Sequence, residues 1–140
     1  MSHAIWFFDE HRYAPADHGV KLTVTLFAKG GPQFDVQALL DSGAAISVFD
    51  RAYASAIGID DIPSGRPVPV QAANEEHQTA TGYVHDIVIE VLGRTLLIPA
   101  VFVPDWPEGT PNLLGMEGFF TRWAFGFQHT QGRLSFTPTI

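Results

Sequence analysis

The sequence predicts an all-β domain assembled from short hairpins. Apolar and polar residues alternate in recurring runs, with Leu22, Val24 and Leu26 facing one way and Thr23 and Thr25 the other. β-Branched residues and many of the 11 phenylalanines gather in these runs, as half-buried strands require. The 13 glycines and 10 prolines break them at short intervals, which is the punctuation of turns between strands.

The first strand expected is Lys21 to Phe27. Lys29-Gly30-Gly31-Pro32 is a turn, and Phe34 to Leu40 alternates again, so the two runs form a hairpin. The second run leads directly into Asp41-Ser42-Gly43. Ser47 followed by Asp50 can cap a short helix from Phe49 to Ile57, stopped at Gly58. Pro67-Val68-Pro69-Val70-Gln71 can only be an edge strand, because neither proline has an N–H to give a ladder. Ala73 to His77 is a polar tip, and Thr79 to Val91 returns as a long strand with Ile87, Ile89 and Val91 on one face. After the turn Leu92-Gly93-Arg94 comes an apolar strand, Thr95 to Val103, then a loop, Pro104 to Pro111. Asn112-Leu113-Leu114-Gly115 leads to a second short helix, Met116 to Trp123, whose Phe119, Phe120 and Trp123 fall at helical spacing and read as core. A final hairpin joins Ala124–Gln128 to Arg133–Thr137.

The order hairpin, apolar strand, glycine turn, short helix thus occurs twice. The first pass runs from Lys21 to Gly58 and turns at Asp41-Ser42-Gly43; the second runs from His85 to Trp123 and turns at Leu113-Leu114-Gly115. This is an echo of organisation without a fixed sequence period.

Composition excludes several classes of function. The chain has 140 residues, enough for one core, and its 46% hydrophobic against 16% charged residues argue against a disordered tail. Net charge is −7 and the eight basic residues form no stripe, so neither nucleic acid nor an anionic membrane is an expected partner. With no cysteine there is no disulfide and no thiolate metal site, which fits a reducing, cytoplasmic setting. Met1 to Tyr13 lacks the basic start and apolar run of a signal peptide, and no stretch is apolar for long enough to span a bilayer. The six histidines, His3, His11, His18, His77, His85 and His129, are spread along surface or loop positions without metal-ligand spacing. No metal or other cofactor is expected. Ser42 lacks the Gly-x-Ser-x-Gly elbow and an obvious histidine partner.

That leaves Asp41-Ser42-Gly43. By itself such a tripeptide is most often a turn, with side chains bonding the local backbone and glycine at positive φ. Here it ends an apolar strand, Ala38-Leu39-Leu40, and small residues follow. A carboxylate placed beside an apolar strand is costly unless it has a use.

Leu39-Leu40-Asp41-Ser42-Gly43-Ala44, followed some seventy residues later by Asn112-Leu113-Leu114-Gly115-Met116, resembles the retroviral-type (retropepsin-like) aspartic proteases, and their single-domain cellular and bacterial relatives more than the viral ones. The likeness runs from about Gly19 to Pro138. It implies a one-lobed, closed-barrel-like acid-protease fold with one or two short helices and a flap hairpin. It implies an aspartic endopeptidase acting on a peptide or protein substrate as a homodimer, with Asp41 of each subunit forming the catalytic dyad. Ser42 would hydrogen-bond across the dimer axis, Gly43 would let the backbone approach, and Ala44 would complete the active turn. Leu113, Leu114 and Gly115 would cross behind that turn and stiffen it. Val68 to Tyr83 corresponds to the flap, with Ala73, Asn74, Glu75 and Glu76 at its substrate-facing tip. Residues 1–18 are an extension, an added strand at a sheet edge or at the dimer interface, preceding the protease domain at 19–140. Where many viral members carry an acid and an arginine, this chain has Ala45 and Met116, so viral-type substrate and interface ion pairs are not expected. The alternative reading is a non-catalytic peptide-binding or dimerisation module on the same fold.

Overall fold

The computed structural model describes residues 7, 9–14, 19–71 and 79–139. The strands, in chain order, are β1 (Asp9–Arg12), β2 (Lys21–Phe27), β3 (Gln33–Leu40), β4 (Ser47–Val48), β5 (Arg66–Gln71), β6 (Thr79–Val91), β7 (Arg94–Phe102), β8 (Asn112–Leu114), β9 (Trp123–Gln128) and β10 (Arg133–Pro138). The fold is all-β, as the alternating pattern requires.

Six strands close on themselves. The hydrogen-bonded order β2-β3-β8-β4-β7-β6 returns to β2 through Thr25↔Glu90 and Leu26↔Ile89. Closure leaves no ladder edge within the ring. It depends on the length of β6, whose C-terminal part meets β2 while its N-terminal part pairs with β5, from Arg66↔Val84 to Gln71↔Thr79. β7 pairs with β6 from Tyr83↔Phe102 to Val91↔Arg94. Past Tyr83, therefore, β5 and β6 continue as a two-stranded ribbon.

Inward-facing residues fill the barrel. Leu22, Val24 and Leu26 of β2, Ile87, Ile89 and Val91 of β6, and Leu96, Ile98 and Ala100 of β7 are all buried. Their period of two is the one the sequence displays. On the outer face the alternate residues bond across strands: Thr25 Oγ1 donates to Asp35 at 2.6 Å, and Gln37 Nε2 to Thr23 at 2.9 Å. The β6–β7 hairpin turns with Leu92 at φ 51° and Gly93 at φ 76°, two consecutive left-handed residues as a tight hairpin demands. β5 lies at the end of its sheet. Its Pro67 and Pro69 stand opposite Tyr83 and Thr81, at alternate positions where the ladder does without their N–H groups.

β9, β10 and β1 form a second, three-stranded sheet in the order β1-β10-β9. The sheet carries Trp123, Leu134 and Phe136 into the core. The extension at the N-terminus supplies β1, antiparallel to β10. Phe7 covers Gly126 of β9, where a Cβ would come within 2.9 Å of its ring.

Both short helices expected from the sequence are absent. Phe49 to Ile57 holds a single 3-10 turn, Arg51–Tyr53, capped by Asp50 through the Ala52 N–H, with further turns to Gly58. Ser47 caps nothing, because it is a buried residue of β4. Met116 to Trp123 also holds one 3-10 turn, Phe120–Arg122. Gly118 breaks the helix there. It sits at φ 81°, and an added Cβ would lie 2.7 Å from Pro99. Phe119 and Trp123 are nevertheless buried core and Phe120 packs edge-on to Phe119, so burial of the aromatic group set this segment's conformation.

Ile98 is fully buried in the middle of β7. Ile98→Ala is expected to lower the free energy of unfolding by about 2–5 kcal/mol, read from the midpoint of a urea titration at unchanged slope.

Candidate active site

The two halves of the barrel exchange their short strands. β8 lies parallel to β3, with Leu39↔Leu113 and Leu40↔Leu114, and β4 lies parallel to β7, with Ser47↔Ala100 and Val48↔Val101. β4 and β8 also touch each other at Val48↔Leu113. The echo in the sequence is real, but its frames shift. The segment equivalent to Asp41-Ser42-Gly43 is the loop after β7, while Leu113-Leu114-Gly115 matches the end of β4. Strand exchange decides this, and a linear reading does not reveal it.

Asp41 stands at the crossing. Its N–H donates to the Leu114 carbonyl at 3.0 Å, one residue after the Leu40 N–H donates to Val20 at 2.8 Å. The turn closes with the Ala44 N–H on the Asp41 carbonyl at 3.1 Å, and the Gly43 N–H donates to Asp41 Oδ1 at 2.9 Å. Gly43 is not at positive φ. What it provides is space, since a Cβ there would lie 3.1 Å from Asp41 Oδ1. Asp41 and Ala44 are half-buried, and Ser42 and Gly43 are exposed. Leu39 and Leu40 are also only half-buried, so the strand leading to Asp41 is less enclosed in one chain than its sequence suggests. Among the described residues no cation pairs with Asp41.

Gly115 sits directly behind this turn. A Cβ on it would meet the Ile46 backbone carbon at 2.6 Å and the Ala44 carbonyl at 2.8 Å. Its N–H donates to the Ser47 hydroxyl at 3.0 Å, and both residues are buried. The Met116 N–H then reaches the Ala44 carbonyl at 2.8 Å, and the Glu117 N–H the Ala45 carbonyl at 2.9 Å. Both sides of the Asp41 turn are thus bonded to the β8 segment. Leu113, Leu114, Gly115 and Ala44 come together with Asp41. Ala73, Asn74, Glu75 and Glu76 lie outside the described residues.

Two features of the neighbourhood went unread in the sequence. The first is a buried polar bridge. Asn112 accepts the Asp50 N–H at 2.8 Å and donates to the Gln37 carbonyl at 2.9 Å. Asp50 accepts N–H groups from Ala52 and Gly109 at 3.0 and 2.7 Å. A buried carboxylate is tolerable when so provided with donors, and the bridge fixes the 104–111 loop to β4. Arg51 adds a bond to the Trp106 carbonyl at 2.7 Å. The second is an apolar cluster distinct from the main core. Val48, Val101 and Val103 pack with Ile46, Leu113 and Trp106 and with Val68, Val70, Ala80 and Val84 of the ribbon. The alternation of Ile46 with Val48 was the available signal.

His3, His18 and His77 lie outside the described residues, and the other three histidines divide between strands and a turn. His11 is in β1, and half-buried His85 is in β6, not on a loop. His129 shares a 3.0 Å hydrogen bond with the Tyr13 hydroxyl. Among the described residues no three metal-ligating side chains gather. No helix among them is long and apolar enough to cross a membrane.

No curated protein matches this chain. The model of one family, described as gag-polyprotein putative aspartyl protease, matches residues 31–121. That span begins in the turn before β3 and contains Asp41-Ser42-Gly43, the β5–β6 ribbon and the Gly115 crossing. With about two thirds of its length in that match and a closed barrel around the crossing, the chain belongs to the retropepsin-type aspartyl protease family.

Proposed function

We propose that this chain is one subunit of a homodimeric aspartic endopeptidase in which Asp41 of each copy forms a catalytic dyad. The observation that carries the reading is the state of Asp41 in a single chain. It is rigidly held by its backbone, half-exposed, and free of any cationic partner among the described residues. One carboxylate can accept a proton or give one, but peptide hydrolysis needs both at once.

A second copy supplies the other group. Two carboxylates brought together share one proton, the aspartic-protease dyad being the standard instance of that coupling. The ionised Asp41 takes a proton from water as its oxygen attacks the scissile carbonyl carbon. The protonated Asp41 gives its proton to the carbonyl oxygen. The tetrahedral diol then collapses, the C–N bond breaks, and a proton passes to the leaving amine. The surface around Asp41 suits a covering subunit, because Ser42, Gly43, Ala45 and Met116 are exposed and uncharged. Ser42 would bond across the axis. Two clefts among the described residues lie elsewhere, one beside Asp35 and Glu90 and the other beside Arg51 and Pro63. A groove over Asp41 would be completed by the partner and by the ribbon acting as a flap. The cluster of Ile46, Val48, Leu113 and Trp106 beneath the ribbon would favour apolar side chains in the substrate.

Asp41→Asn is expected to reduce cleavage of a diverse peptide pool by at least about a hundredfold, while circular dichroism and sedimentation stay those of the wild type. Wild-type turnover by the mutant would remove Asp41 from the chemistry.

Ser42→Ala is expected to weaken the dimer about tenfold, the worth of one hydrogen bond in a dissociation constant, with activity falling in step at low protein concentration. Sedimentation across a dilution series reads the first effect. Activity lost at unchanged dimer affinity would assign Ser42 another role.

The rate is expected to follow a bell-shaped pH profile with its maximum at mildly acidic pH. With both carboxylates protonated there is no base, and with both ionised there is no acid, so only the singly protonated pair works. Dimer affinity should fall as pH rises through the upper limb, because two negative charges then meet at the axis. A saturated rate that climbs steadily into the alkaline range, in wild type and Asp41→Asn alike, would point to a different mechanism.

A further inference from the structure

We infer that His85 anchors the root of the β5–β6 ribbon and is a positioning residue for whatever the ribbon covers. The ribbon has a problem of mechanics. From Val68↔Gly82 to Gln71↔Thr79 it has two strands and, among the described residues, no third beside it, since β7 stops pairing with β6 at Tyr83. An isolated two-stranded ribbon is marginal in water, so its direction must be set at its base.

Three contacts converge there. His85 lies one residue below the last β5–β6 pair, Arg66↔Val84, and opposite Ala100 of β7. Its Nε2 is 2.8 Å from the Ile62 carbonyl, in the 3-10 turn Ile62–Ser64 that leads into β5. A carbonyl only accepts, so Nε2 carries the proton. The same carbonyl takes the Gly65 N–H at 3.1 Å, so a single oxygen ties the turn both to itself and to β6. Gly65 then passes so close that a Cβ would lie 2.5 Å from the Val84 carbonyl and 2.6 Å from His85 Nε2. On its other side the imidazole meets Phe102 edge-on, with centroids 6.3 Å apart. The ring is therefore held between β7 and the entry to β5. It fixes where β5 starts and so the angle at which the ribbon leaves the barrel. Higher up, Gly82 lies against Val101 of β7 and Val70 of β5, with no room for a side chain.

The anchor itself does not depend on the peptidase reading; only its kinetic consequence does. The test measures hydrogen exchange in the full chain for wild type, His85→Ala and His85→Gln, with Gly65→Ala as an independent perturbation of the same root. Loss of one hydrogen bond predicts about tenfold faster exchange for the amides of Arg66, Val68, Val70 and Gln71 and of Thr79–Gly82 in His85→Ala. Barrel amides such as those of Ile89 and Ile98 should stay at wild-type rates. The glutamine amide can donate to the same carbonyl and should restore protection. Gly65→Ala should loosen the same segments with His85 intact. Ribbon exchange unchanged in His85→Ala, or ribbon and barrel accelerating together, would overturn the anchor, as would failure of glutamine to restore it. In a peptide cleavage assay His85→Ala should raise KM severalfold with kcat little altered, because a loosened ribbon populates its closed position less. Ribbon exchange that responds as expected in a protein that cleaves nothing would leave the anchor standing and overturn the peptidase reading alone.

Discussion

The structure depends on one crossing. β8 runs between β3 and β4, and its Leu114 carbonyl receives the Asp41 N–H while Gly115 passes too close to Ala44 and Ile46 for any side chain. Everything near Asp41 inherits its position from that contact. The Asp41 N–H donates to the Leu114 carbonyl, and the Met116 and Glu117 N–H groups donate to the Ala44 and Ala45 carbonyls, so the turn is bonded on both sides to β8 and the residues after it. A carboxylate on an ordinary surface loop would sample many positions. This one is held by its backbone and by the Gly43 N–H on Oδ1.

The barrel makes the crossing possible. Strand exchange between halves, β3 with β8 and β7 with β4, places the two short strands side by side at the middle of the ring. Short parallel strands are weak in isolation, and β4 has two residues. They persist because longer antiparallel hairpins flank them and because Asn112, Ser47 and Asp50 satisfy the buried polar groups that so short a ladder leaves over. Polar residues buried in this way cost free energy unless fully bonded, and here each has a named partner.

The family match, the Asp41 turn and the apolar floor under the ribbon all lie on one chain. On the proposed reading that chain holds half of a catalytic apparatus, and a second copy would supply the acid that complements the base. In the N-terminal extension, β1 pairs with β10 of the same chain. The ribbon stands apart from the ring and is positioned at its root by His85 and Gly65.

Much of this was legible in the sequence. The alternation of Leu22, Val24 and Leu26, and of Ile87, Ile89 and Val91, determined the strands and their inward faces, because a period of two has only one meaning in a half-buried segment. Pro67 and Pro69 determined that β5 is an edge, because a missing N–H cannot serve a ladder on both sides. Asp41-Ser42-Gly43 marked the candidate site because a carboxylate after an apolar strand is costly unless used, and Leu113-Leu114-Gly115 was marked by the family resemblance. Tertiary structure decided the rest. Two helices were expected, and neither forms: packing of Phe119 and Trp123, with Gly118 at positive φ, outweighs helical spacing. Ser47 looked like a cap and is a buried acceptor for Gly115. Asp50 and Asn112 meet across 62 positions of sequence, and the His85 ring finds the Ile62 carbonyl only because β5 and β6 fold back on each other. Local pattern determines which face of a strand is buried; which residues from distant strands share a hydrogen bond is decided only when the barrel closes.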